Sequence, residues 1–223
     1  MPITVFPTGA ASADQLTFGD IKADLALSIN PDDPTVLAIA GDAVRSALLV
    51  YSRYNWPWDV IDQTISIVSG TDTYALAQKF KLPLSCYLLD GSSRRDKKVY
   101  YMEYASFLEE AGSNQDGEPR LYTIPNAFES GTVLFYPRPT SAYTAKLSYY
   151  RMVAHRFRDD AMPVEIPDYA VEPVRAWAWY EMLKKIGGSG NIARLPSARA
   201  DAMAARSELV AMVNSRGDMQ GMA

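Results

Sequence analysis

The chain has 223 residues, 48% of them hydrophobic and 22% charged, a globular composition with enough material for one large domain or two small ones. Its net charge of −4 resides in residues 1–60, where seven acids meet three bases (Lys22, Arg45, Arg53); the other nineteen acids and nineteen bases cancel, which excludes the basic footprint of a protein that grips nucleic acid. One histidine, His155, and one cysteine, Cys86, exclude most zinc sites, most histidine-assisted catalysis and any intramolecular disulfide.

The opening "MPITVFPTGAASADQ" has neither the basic start nor the apolar core of a signal peptide, and 1–16 reads as an arm that is flexible or ordered by a partner. No apolar run reaches the roughly 20 residues that cross a bilayer. Phe18, Ile21, Leu25 and Ile29 then recur at helical spacing, with Thr17 placed to cap. "NPDDP" breaks the chain, and a second helix opens near Pro34. Its stripe of Val36, Ala40, Ala43, Ala47, Val50 and Tyr54 is widened by Leu37, Val44, Leu48 and Tyr51, so it should be buried between other helices.

"SRYNWPWD" (52–59) follows, at the point where helical spacing stops. Burying one indole removes about 150–250 Å² from water, worth at most about 4–6 kcal/mol at roughly 25 cal/mol per Å². Trp56 and Trp58 around a rigid Pro57 suit an interdomain joint; an exposed pair would instead be a ligand or partner site.

Beyond it the period becomes two. "DQTISIVSGTDTYAL", "LSCYLLD", "KKVYYMEY", "PRLYTIP", "GTVLFYP" and "YTAKLSYYR" predict a meander of six or more strands, the layout of a small sandwich or barrel, with Cys86 as a buried small hydrophobe. "ASFLEEAG" reads as a short helix within it. Helical spacing returns from Asp168 to Ile186 (Val171, Val174, Trp177, Ala178, Met182, Leu183) and "GGSGN" ends it. The last helix, about 192–215, has a narrow seam of Leu195, Ala198, Ala202, Ala205, Leu209 and Met212, built for close helix approach. The fold class is therefore α+β: a helical bundle from the N- and C-terminal helices (17–60 and 164–215), an inserted β-rich, sandwich- or barrel-like lobe (61–163), and a flexible tail at 216–223.

Reactive constellations are scarce. "GSGNIA" (188–193) matches a phosphate-loop pattern, but a helix precedes it where the mechanism needs a strand, so it reads as a helix–helix loop. Asp32-Asp33, Glu109-Glu110 and Asp159-Asp160 are neighbours in loops or on a helix and do not face each other across a substrate. There is no G-x-S-x-G elbow. His155 lies among Arg151, Arg156 and Arg158, which reads as a solvated connection, and Arg216-Gly217-Asp218 is too short to argue receptor binding. No catalytic, cofactor or metal residue is assigned. Arg94, Arg95, Lys97 and Lys98 around a turn, Arg194, Arg199 and Arg206 on the last helix, and Arg216 at the start of the tail are the candidate partner-facing bases.

The order of these pieces resembles a known family. "RYNWPWD", then "SGTDTYAL" and "LPLSCYLLD", then "GEPRLYTI", "TVLFYPRPTSAYTAKLSYY" and "MPVEIPDYAVEPVRAWAWYEML" are similar over about 35–190 to the head-to-tail adaptor (connector) proteins of tailed phages. That group includes the P22-type tail accessory factor and the T7-type tail tubular protein A. The resemblance implies a non-enzymatic virion protein at the head–tail junction, assembled in the host cytoplasm. It implies a homo-oligomeric ring, usually of twelve copies, seated below the portal protein. The ring extends the DNA channel without binding DNA specifically, offers a platform to a tail or nozzle protein, and docks by its C-terminal segment; no membrane or cofactor is involved. The alternative reading is a carbohydrate- or peptide-binding β module using Tyr100, Tyr101, Tyr104, Tyr149 and Tyr150, and a carboxylate hydrolase ranks behind it.

Overall fold

The structure, a computed structural model, describes residues 16–90, 94–112, 115–125, 131–152 and 159–220, with side chains described as far as 215. In chain order the elements are α1 (Phe18–Leu27), α2 (Pro34–Tyr51), a 3-10 turn (Pro57–Asp59), β1 (Val60–Ile67), β2 (Thr73–Ala75), β3 (Phe80–Leu89) and β4 (Arg95–Tyr101). There follow α3 (Tyr104–Ala111), β5 (Asp116–Gly117), β6 (Leu121–Thr123), β7 (Thr132–Tyr136), β8 (Arg138–Pro139), β9 (Tyr143–Arg151), α4 (Asp168–Ile186) and α5 (Ser189–Gln220). They form two compact units, Met1–Tyr54 with Ala154–Ala223, and Asn55–Val153. The class is the expected α+β one, with helices from both chain ends and a β-rich lobe inserted between them.

In the helical unit, the start of α1 is held by a capping box. The Thr17 hydroxyl accepts from the Asp20 amide at 3.2 Å, and the Asp20 carboxylate accepts from the Thr17 amide at 2.8 Å. The Phe18 and Gly19 amides donate to the Met162 and Asp160 carbonyls at 2.9 and 2.8 Å, which satisfies two amides that a helix start leaves over. Glycine is needed there, because a Cβ at residue 19 would lie 2.9 Å from the Asp160 backbone. Asp33 caps α2 through the Thr35 amide at 2.7 Å, with Pro34 in the first position.

Phe18, Ile21 and Leu25 of α1, Ala40, Val44, Ala47 and Leu48 of α2, and Val174, Ala178, Met182 and Leu183 of α4 are buried. These three helices pack on one another. By length and composition α2 could cross a bilayer, but its face of Val36, Ala40, Ala43, Val44, Ala47, Leu48 and Tyr51 goes into this core. Gly187 and Gly188 take φ of 66° and 83°, which side-chain-bearing residues rarely adopt, and reverse the chain into α5. The helix–helix connection is thus Gly187-Gly188 alone, and α5 begins at Ser189, inside the stretch 188–193 that the sequence reading gives to a loop. On α5, Ala198, Ala202 and Leu209 are buried and Leu195, Ala205 and Met212 half-buried, which is the expected seam. The helical backbone continues to Gln220, past residue 216 where the sequence reading starts a tail.

The β unit departs from a meander. Its seven-stranded sheet runs β1-β9-β3-β4-β6-β7-β2, and β5 pairs with β8 separately. β1 pairs with β9 over its whole length, from Val60↔Tyr150 to Ile67↔Tyr143, because these are long strands of matched alternation whereas β2 has three residues. β4 and β6 are parallel, which requires a crossover, and α3 lies in that connection. Among the described side chains, Tyr74 and Gln63 tie the edge strands β1 and β2 together: the Tyr74 hydroxyl accepts from the Val68 amide at 2.8 Å just past the end of β1, and Gln63 reaches across from within it. Gln63 Nε2 donates to the Ala75 carbonyl at 2.9 Å and Gln63 Oε1 accepts from the Ala77 amide at 2.9 Å, leaving a nearly closed barrel. Ile65, Ile67, Phe80, Cys86, Leu88, Val99, Tyr122, Val133, Phe135, Leu147 and Tyr149 fill its interior.

Candidate interaction surfaces

The tryptophan stretch begins the β unit. Pro57 at the first position of the 3-10 turn brings Trp56 and Trp58 into a parallel stack, centroids 4.7 Å apart and planes 8° apart. Trp56 is buried and Trp58 half-buried. The same turn buries Asp59 completely, 3.7 Å from Arg151 Nε on β9, a buried charge set against a cation as such burial requires. Burial lowers the Lys81 ammonium from its ordinary value, against the opposing field of Asp59. Nothing in the sequence singled out Asp59, whose significance depends on β9 pairing with β1.

The four bases near the β3–β4 turn do not act as one patch. Arg95 lies over Tyr87 at 4.8 Å and Lys98 over Tyr100 at 5.2 Å. Lys97 bonds both carboxylate oxygens of Glu118 at 2.8 Å, which raises its ammonium above the ordinary value. Arg94 is exposed, and its amide donates to Asp90 Oδ1 at 2.8 Å. Three of the four thus have partners within the β unit.

The α5 bases also divide. Arg194 and Arg199 are exposed. Arg206 is half-buried over the rings of Tyr54, at 4.8 Å, and Trp177, at 5.9 Å. Residues 54, 177 and 206 are too far apart in sequence for any spacing to have shown this. Burial beside them pushes the Tyr51 phenol up to about 12, with Arg206 opposing the shift. The side chain of Arg216, and all of His155, lie outside the described residues.

The tyrosines of the alternative reading do not share a surface. Tyr149 is fully buried, its hydroxyl accepting from the Gln78 amide at 3.0 Å, and Tyr101 packs against the barrel core. Tyr100 and Tyr104 are exposed, and Tyr150 is half-buried. The paired carboxylates serve the fold: Asp33 caps α2, Asp159 accepts from the Ala161 amide at 2.6 Å, and Asp160 pairs with Lys22. Glu109 and Glu110 are exposed on α3. Among the described residues no group of three His, Cys, Asp or Glu side chains converges to hold a metal. Burial pushes the Cys86 thiol up to about 12, far from a reactive thiolate.

Fold and surface together define an α+β protein with a helical unit built from both chain ends and a barrel-like unit inserted between them in sequence. The profile of the SU10 adaptor protein family matches residues 16–222, and the chain belongs to that family. The resemblance to head-to-tail adaptors therefore holds at the level of an adaptor family, without distinguishing the P22-type or T7-type groups. No curated protein matches the chain. Among solved structures, a chain in the neck of an empty GTA particle, computed with C6 symmetry, is 10% identical, with a TM-score of 0.30 over 79% of this chain and 82% of that one; so distant a likeness carries no argument.

Proposed function

We propose that the chain is a non-enzymatic head-to-tail adaptor that assembles into a homo-oligomeric ring, of twelve copies, below a portal protein. It extends the DNA channel and receives a tail or nozzle protein on its far side. The observation that carries this reading is membership of the SU10 adaptor protein family over residues 16–222. The chemistry is compatible with it. A conduit must let DNA slide, and a chain of net charge −4 whose β4 bases are mostly engaged locally offers no strong grip on phosphates. In this reading the Trp56–Trp58 stack stiffens the point where the chain enters the β unit, and Arg94, Arg194 and Arg199 face partners. The protein resides in the virion at the head–tail junction after assembly in the host cytoplasm.

The test is the mass in solution by light scattering, alone and then with the cognate portal. A mass many times the 24.7 kDa of one chain, in either condition, is expected. A single chain that ignores the portal overturns the reading.

A further inference from the structure

The helix α5 packs mainly on α4 and presents two unlike flanks to solvent. With 3.6 residues per turn, each residue advances about 100° around the axis. One flank, centred about 100° from the buried line Ala198–Ala202–Leu209, carries Ile192, Arg199 and Met203. Ile192 is 58% and Met203 44% exposed, large apolar groups left in water on an otherwise ordered helix. The opposite flank, centred about 110° the other way, carries Ser197, Asp201, Ala204 and Glu208, all exposed, with Arg194 at its edge. Between the flanks the outward ridge is Ala193, Ala200, Ser207 and Ala211. The hydroxyls of Ser197 and Ser207 fold back onto the Arg194 and Met203 carbonyls, each at 2.9 Å, so neither asks for an outside partner. One flank is bulky and basic, the other shallow and acidic.

We propose that the occupant of this surface is α5 of a second copy of the chain, the bulky flank of one copy seated on the shallow flank of the next. Ile192 and Met203 fill the space that Ser197 and Ala204 leave open, and Arg199 faces Asp201 and Glu208. Two different patches meet, so the contact is heterologous, and its repetition closes into a ring when the rotation allows. The flanks lie nearly symmetrically about the α4 side, which leaves α4 clear of both neighbours. This inference deepens the ring reading and rests on it.

The experiment uses the full chain, the cognate portal, light scattering and a thermal melt. Ala204→Arg places bulk and a like charge on the shallow flank, and Arg199→Glu reverses the basic one. Each is expected to raise the concentration for half-assembly by at least about tenfold, since like charges across an interface are strongly unfavourable. Both positions are exposed, so the melt of the single chain should not change. The double variant Arg199→Glu/Asp201→Arg puts one opposite-charge pair back across each contact, with Glu208 unchanged, and should recover assembly in part. Rings that persist in both single variants, or a double variant no better than Arg199→Glu, overturn the α5 contact and leave the ring reading standing. A wild-type chain that stays single with and without portal overturns both.

Discussion

Replacing Gln63 by alanine removes a side chain that ties the interior of edge strand β1 to the segment of β2. Two hydrogen bonds of 2.9 Å are lost, one to the Ala75 carbonyl and one from the Ala77 amide. At about 0.5–1.5 kcal/mol net for each, the cost should be about 1–3 kcal/mol. For a chain of this size, that corresponds to about 2–4 °C in Tm per kcal/mol. Gln63→Glu discriminates further. Its carboxylate still accepts from the Ala77 amide but turns a second acceptor toward the Ala75 carbonyl, so near neutral pH it should be at least as damaging as alanine. Protonation below about pH 4.3 restores a donor, and the glutamate variant should then regain part of the loss while alanine does not. The assay is thermal melting with amide exchange read at Ala77, which should exchange at least about tenfold faster in Gln63→Ala. An alanine variant within about 0.3 kcal/mol of wild type, with Ala77 protection unchanged, would refute the idea that this side chain closes the barrel.

The Asp20 carboxyl is held below its ordinary value by the hydroxyl and then the amide of Thr17, so the unfolded state binds the proton more tightly. The cap's contribution is therefore complete above the ordinary aspartate value of 3.8 and is lost as pH falls below it towards the folded value. Thr17→Ala should cost about 0.5–2 kcal/mol near neutral pH and flatten the acid limb of stability; an unchanged limb would show that other carboxylates govern it. Cys86, pushed up to about 12 by burial, should react with an aromatic disulfide at pH 8 at least about a thousandfold more slowly in the folded than in the unfolded chain. Fast labelling of the folded protein would mean that the barrel opens readily around Cys86.

Much of this architecture is written in local patterns. Thr17, Pro34 and the glycines at 187–188 announce helix ends through physics confined to a few residues, so they are readable without tertiary knowledge. The alanine seam of α5 is equally local, because a narrow apolar line on a polar helix has one use. Strand order was not legible. Alternation marks Ile65 and Ile67 as inward, but it does not reveal that β1 neighbours β9, some eighty residues away, which is a matter of matching partners after collapse. The candidate surface residues fared according to the same distinction. Lys97, Lys98 and Arg95 look like one basic turn in sequence, yet each is drawn to a different group: Glu118 after β5, Tyr100 two residues along β4, and Tyr87 on β3. Four of the five tyrosines divide because successive strand residues point to opposite faces, which sends Tyr149 inward and leaves Tyr150 half-buried, while Tyr104 sits on α3.

The helical unit separates what holds it together from what it can offer a partner. Its core is closed by α1, α2 and α4, each of which touches the other two. α5 adds Ala198, Ala202 and Leu209 as the buried residues among its described side chains, on a seam that alanine makes shallow. At 1.5 Å per residue it is about 48 Å long against about 28 Å for the nineteen-residue α4, so roughly 20 Å of helix extends beyond what its supporting neighbour can cover. A helix needed only to complete the bundle would be shorter and would place charges, not isoleucine, methionine and alanine, on its outer side. Length without support and apolar groups without cover both make sense if the missing neighbour is outside the chain. Substitutions on the flanks of α5 should therefore move assembly and leave the melt alone, whereas substitutions at Val174 or Leu48 should move the melt first.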